Sequence, residues 1–135
     1  MAKPPVVASL TWTGDLSFTA SSGKQTLTMD GSSEAGASPV QMLAFAIAGC
    51  MAMDVVDIVR KGRHPLRGLD VAFHGERAQT PPHRLTSVTL VFTVHGDVSG
   101  DAVRRAIALS HEKYCSVSNS LRGDIAFVTE FEVRP

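Results

Sequence analysis

The sequence predicts an α+β fold, with antiparallel sheets packed around two main helices. Three observations carry this. The N-terminal third is made of short stretches that alternate apolar and polar side chains. A long apolar stretch with clear start and stop signals follows it. Then come two long alternating stretches, an amphipathic helix and a final alternating stretch. The element order reads β-β-β-α-β-β-α-β, with antiparallel pairing. The 135 residues suit a single domain spanning 1–135. A domain of this size buries roughly two-thirds of its unfolded surface, so it needs neither a disulfide nor a metal to fold.

The first three strands are short. Leu10-Thr-Trp12, Leu16-Ser-Phe18 and Leu27-Thr-Met29 each alternate, and Gly14-Asp15 and Ser21-Ser-Gly23-Lys24 supply turn residues between them. A small, polar loop over 31–37 leads to the first helix. Ser38 can accept from the first free N–H groups, Pro39 suits the first helical position, and Gln41 completes a capping box. The helix runs to about Lys61. Arg60 and Lys61 face the negative end of its dipole, and Gly62 is expected in the left-handed C-terminal conformation. Its first four turns are apolar almost all round, which predicts burial on several sides. One 135-residue domain can hardly cover such a helix, so a homodimer that buries it between subunits is expected.

Leu69, Val71 and Phe73 form one apolar face, and Val88, Leu90, Phe92 and Val94 another. Between them, Gln79-Thr-Pro-Pro-His83 forms the rigid connection of a hairpin, since prolines do not fit a central strand. A second helix starts near Ser99 or Asp101 and reaches about Lys113. Val103, Ala106 and Ile107 point inward, and Arg104 and Arg105 outward. Residues 114–122 form a further short helical piece ended by Gly123. The last strand alternates through Ile125, Phe127, Thr129, Phe131 and Val133.

Composition excludes several function classes. Thirteen basic side chains balance thirteen acidic ones, so nothing favours capture of nucleic acid or of an anionic membrane. The apolar core Met42–Met53 is shorter than the roughly 20 residues of a membrane span, and Asp54 and Asp57 follow it at once. The N-terminus lacks the charged head and apolar core of a signal peptide. The expected location is the cytoplasm, where thiols stay reduced unless their chemistry is redox. Ser116, Ser118 and Ser120 sit in no Gly-x-Ser-x-Gly elbow, and no Gly-rich phosphate loop is present.

Two cysteines occupy unlike settings. Cys50 lies mid-helix in the apolar run, and Cys115 lies in the polar stretch Glu112-Lys-Tyr-Cys115-Ser-Val-Ser-Asn-Ser120. Either both are inert, buried residues or one is a reactive thiol and the other its partner. Asp54, one turn after Cys50, shares its face. It either orients a cation beside the thiol or is an ordinary helix residue with a hydrogen-bond partner, and Glu112 near Cys115 has the same two readings. Gly49 either admits another backbone or eases helix packing. Of the five histidines, His111 stands four residues before Cys115, a weak metal-ligand spacing. His74 and His95 take outer strand positions. No metal and no cofactor are expected.

These residues resemble the OsmC/Ohr superfamily, and the details lie nearest its small OsmC-like, YhfA-type branch. The resemblance rests on Ser38-Pro39, the apolar run ending in Ala48-Gly49-Cys50, Asp54, and Glu112-Lys-Tyr-Cys115-Ser-Val. It extends to Met29-Asp30-Gly31 and Gly75-Glu76-Arg77 and so covers nearly the whole chain. It implies an intertwined α+β homodimer whose sheets wrap around the central helices. It also implies a thiol-dependent peroxidase acting on small organic hydroperoxides in oxidative-stress defence, with Cys50 as peroxidatic and Cys115 as resolving cysteine, and with a cellular dithiol as reductant.

The chain departs from the hydroperoxide-specific members at two points. Val40 stands where they carry a Glu after the helix-opening proline, and between Trp12 and Asp30 there is no arginine, only Lys24. The thiolate chemistry needs a lowered thiol pKa, and a mid-helix cysteine gains little from its own dipole. Arg77, Arg84, Lys24 and His111 are the candidate cations. The alternatives are a non-catalytic dimer that binds a small apolar ligand in the same pocket, and a slow cysteine-pair redox sensor.

Overall fold

The computed structural model describes residues 2–135. The chain divides into two compact units, Met1–Leu43 and Ala44–Pro135.

The first unit is an antiparallel meander of β1 (Ser9–Gly14), β2 (Ser17–Ser22) and β3 (Gln25–Asp30). Its register aligns Leu10, Ala20 and Leu27 in one row and Trp12, Phe18 and Met29 in the next. Both rows lie on one face of the pleat. Leu10, Trp12 and Leu27 stand exposed there. Gly14 and Asp15 take positive φ at the first turn, as a tight hairpin reversal requires. At the end of β3, the buried Asp30 carboxylate accepts from Ser32 N–H at 3.0 Å, Ser32 Oγ at 2.8 Å and Ala35 N–H at 2.9 Å. One side chain thus organises the loop that leads into the first helix.

Helix α1 spans Pro39–Lys61, the bounds that the sequence predicts. Its capping box is formed: Gln41 N–H donates to Ser38 Oγ at 3.2 Å, and Ser38 N–H to Gln41 Oε1 at 2.9 Å. At the other end the expectation for Gly62 is corrected. Arg63 takes the left-handed conformation, with φ 63°. Gly62 N–H still donates to Ile58 O at 3.0 Å, so the helical ladder continues one residue further than expected. The reversal then closes with Arg63 N–H to Arg60 O and His64 N–H to Val59 O.

Within the protomer α1 buries one stripe, Ile47, Met51, Val55 and Val59, at every fourth position. Phe45 and Met53 stay 66% and 73% exposed, so a large part of its apolar surface faces outward. By length and composition alone, α1 meets the requirement for a bilayer span.

The rest of the second unit is a three-stranded sheet of β4 (Leu66–Arg77), β5 (Leu85–Gly96) and β6 (Ala126–Arg134), with β5 in the middle. β4 and β5 form the predicted antiparallel hairpin, and the connection contains a cis Pro81–Pro82 bond. β6 departs from the expected antiparallel pairing: it runs parallel to β5. Between them lies α2 (Gly100–Leu109), capped by Ser99 Oγ on Ala102 N–H at 3.2 Å. A helix between two strands carries the chain back to the end where the first strand began, so the next strand runs parallel to it. Val88, Leu90, Phe92 and Val94 of β5 are completely buried, and Val103, Ala106 and Ile107 of α2 point inward as expected.

Candidate thiol site

The chain does not leave α2 as an ordinary helix. Ser110–Tyr114 form a π-type turn in which Cys115 N–H donates to Ser110 O, five residues back, at 2.8 Å. The buried positions of α2 are Val103, Ala106 and Ile107, followed by Ser110. Ordinary helical spacing would next bring Tyr114 inward. The wider turn delays the inward position by one residue, so Tyr114 is 52% exposed and Cys115 fully buried. The same turn removes His111 and Cys115 from the common helical face that their spacing suggested. Instead, the His111 ring lies 4.8 Å from that of Phe127.

Cys115 is held locally. Ser118 N–H donates to its Sγ at 3.3 Å, and the Asn119 amide donates to the carbonyls of His111 and Cys115 at 3.0 and 2.8 Å. On α1, Cys50 is half-buried, and both thiols are free. The two cysteines are close enough to act on one another: Cys115 and the Val117 backbone N–H both influence the titration of the Cys50 thiol. Asp54, one turn further along α1, accepts from the buried Ser110 Oγ at 2.8 Å. It therefore has the hydrogen-bond partner that its plainer reading required.

These neighbours push the Cys50 thiol above its ordinary pKa. Burial contributes most, Cys115 and the Asp54 carboxylate add to it, and the Val117 N–H works against it. No cation figures among these influences. Of the candidate cations, Arg77 donates through Nε to His83 O at 2.8 Å, and Arg84 donates to Leu85 O and lies 3.8 Å from Asp124. Lys24 lies in the turn between β2 and β3, in the first unit. Val40, at the position of the family Glu, is exposed on the first turn of α1. Glu112 is exposed. His74 and His95 occupy outer strand positions, paired with Glu76 at 2.7 Å and Asp70 at 2.9 Å. No group of three or more metal-ligating side chains occurs among the described residues.

Ser110, Val117 and Ser118 did not emerge from the sequence as site residues. Ser110 carried a readable signal, since it continues the inward spacing of Val103, Ala106 and Ile107. Val117 and Ser118 act through backbone N–H groups, which leave no trace in residue type.

The family model described as "OsmC-like protein" matches residues 30–130. The chain belongs to the OsmC family. It is 39% identical over 130 residues to protein YhfA of Escherichia coli strain K12, covering 93% of this chain and 96% of that one. A hypothetical protein from Aquifex aeolicus VF5 shares the fold with TM-score 0.91 at 23% identity, over 98% of both chains. The organic hydroperoxide resistance protein OhrB of Bacillus subtilis shares it with TM-score 0.67 at 16% identity, over 95% of this chain and 98% of that one. The α+β architecture expected from the sequence is thus the OsmC-like one.

Proposed function

We propose that this OsmC-family chain is a thiol-dependent peroxidase that reduces small organic hydroperoxides, with Cys50 as nucleophile and Cys115 as resolving thiol. The observation that carries the reading is the proximity of the chain's two cysteines: Cys115, turned inward by the π-type turn after α2, acts on the Cys50 thiol of α1. The fold shared with a hydroperoxide resistance protein supports the substrate class. In the proposed cycle the Cys50 thiolate attacks the distal peroxide oxygen. The O–O bond breaks, the alkoxide leaves and takes a proton to become the alcohol, and Cys50 becomes a sulfenic acid. The Cys115 thiolate then attacks that sulfur and displaces hydroxide, which leaves as water. A cellular dithiol returns two electrons and two protons to the Cys50–Cys115 disulfide.

The single domain spanning 1–135 acts, in this reading, as a cytoplasmic homodimer. The outward face of α1 supports the dimer. Phe45 and Met53 are exposed there, and a Cβ built on Gly49, one turn from each, meets no atom within 4 Å. A partner backbone fits closely at such a position. Within the protomer burial is the largest cause that pushes the Cys50 thiol up, so this reading requires a cation to lower it. That same shift, together with Val40 and the lack of an early arginine, favours the second reading: a dimer that binds a small apolar ligand without turnover, or a slow redox sensor.

Peptide mass spectrometry of the reduced protein after equimolar cumene hydroperoxide tests the reading. A rapid loss of a pair of hydrogens mapped to a Cys50–Cys115 bridge is expected. Cys50→Ser should abolish peroxide consumption, and Cys115→Ser should leave a dimedone-trappable sulfenic acid. Thiols that stay reduced for minutes would overturn the peroxidase in favour of the ligand-binding reading.

A further inference from the structure

Asn119 stands on the surface of the segment that carries Cys115, yet its side-chain amide is engaged inside that segment. The amide nitrogen donates to His111 O at 3.0 Å, in the π-type turn before Cys115, and to Cys115 O at 2.8 Å. The Cys115 carbonyl also accepts from Asn119 N–H at 3.1 Å, so one residue grips it twice. Two carbonyl acceptors call for the NH2 end of an amide, since a carbonyl or carboxylate oxygen only accepts. The far side of the turn is closed by Ser120 N–H to Val117 O at 3.0 Å and by Ser120 Oγ to Ser116 O at 2.6 Å. Residues 116–118 are thus pinned at both ends, and no packing role is asked of the exposed Asn119 side chain.

The pinned turn offers two consecutive backbone N–H groups. Ser118 N–H donates to Cys115 Sγ at 3.3 Å, which fixes the direction of that sulfur. Val117 N–H acts on the Cys50 thiol and works against its upward push. Sulfur accepts weakly as a thiol and more strongly as a thiolate, so an N–H held beside Cys50 favours its ionised form. We propose that Asn119 is a positioning residue for both thiols: it holds the 115–118 turn so that Val117 N–H serves Cys50 and Ser118 N–H serves Cys115. The inference rests on the peroxidase reading for its consequence in turnover. There the turn supplies thiolate stabilisation in a chain that carries Val40 in place of the family Glu.

The test is the pH dependence of iodoacetamide alkylation of Cys50 in the full-length Cys115→Ser protein, with and without Asn119→Ala. The titratable groups that act on Cys50 are Cys115 and Asp54, and this background leaves Asp54 common to both proteins. Asn119→Ala should move the inflection up. Alkylation near neutrality should slow about threefold to tenfold, the loss of one hydrogen bond to a charged sulfur, partly offset by the greater nucleophilicity of the more basic thiolate. Hydrogen exchange of the Val117 and Ser118 amides should accelerate, with far-UV circular dichroism unchanged. Asn119→Ser, too short to bridge both carbonyls, carries the test if Asn119→Ala fails to fold. An inflection that stays in place in a folded variant, or amides that keep their protection, would overturn the role. Neither readout consumes peroxide. A moved inflection beside thiols that resist cumene hydroperoxide would therefore sink the peroxidase and leave Asn119 in its role.

Discussion

Asp54→Asn offers a direct test of the electrostatics at Cys50. Burial does most to push the thiol up, and the Asp54 carboxylate adds to it. The substitution removes the charge and keeps an oxygen to accept from Ser110 Oγ, so the contact to the π-type turn survives. Side chains one turn apart on a helix lie about 6 Å from each other. At that distance unit charges interact by about 0.7 kcal/mol at the dielectric of water and about 1.4 kcal/mol at half that value, the range suited to a half-buried thiol. The Cys50 pKa should therefore fall. The thiolate fraction near neutrality rises about three- to tenfold, and the weaker nucleophilicity of the more acidic thiol cuts the net gain to about two- to fourfold. The assay is the pH dependence of iodoacetamide alkylation in a Cys115→Ser background, which isolates Cys50. An inflection that stays in place or moves up, with native-like circular dichroism, would refute the assignment of Asp54 as a raising charge.

Other expectations test the fold, the first-unit loop and the assembly. Phe92 is completely buried at the centre of β5, so Phe92→Ala should cost about 3–5 kcal/mol, read as a lower urea midpoint. A change below a third of that would mean that the sheet collapses around the void. The Asp30 carboxyl is held at about 2, below its ordinary 3.8, chiefly by the Ala35 N–H and then by Ser32. A lowered folded-state pKa stabilises above the unfolded value, and that contribution drains away as pH falls from about 4 toward 2. Asp30→Asn should flatten that part of the acid-stability curve, and an unchanged curve would show that Asp30 is not its source. Met53→Glu places a charge on the outward face of α1 and should convert the proposed dimer to monomer in sedimentation velocity. A variant that stays dimeric would place the interface elsewhere.

The first helix was legible almost to the residue because its signals are local. Ser38 and Gln41 bond to each other three residues apart, and no distant part of the chain is needed to bring them together. The helix end was legible to within one residue. Which residue takes the left-handed turn depends on how far the backbone ladder runs, and Arg63 shows that glycine is preferred there without being required. The site was half legible. Cys50 and Cys115 stood out by residue type, and Ser110 was readable from the spacing of α2, whereas the N–H groups of Val117 and Ser118 left no signal.

By itself the sequence determined which segments are strands and helices, where α1 is capped, and which side of each strand is apolar. All of these follow from side-chain periodicity and from hydrogen bonds between near neighbours. The tertiary structure alone decided that β6 runs parallel to β5, because alternation reads the same in either direction. It alone decided that Cys115, and not Tyr114, is turned inward. That outcome rests on one extra residue in the turn after α2, closed by the Cys115 N–H to Ser110 O bond, and Ser110 Oγ ties the turn to Asp54, 56 residues away in the chain.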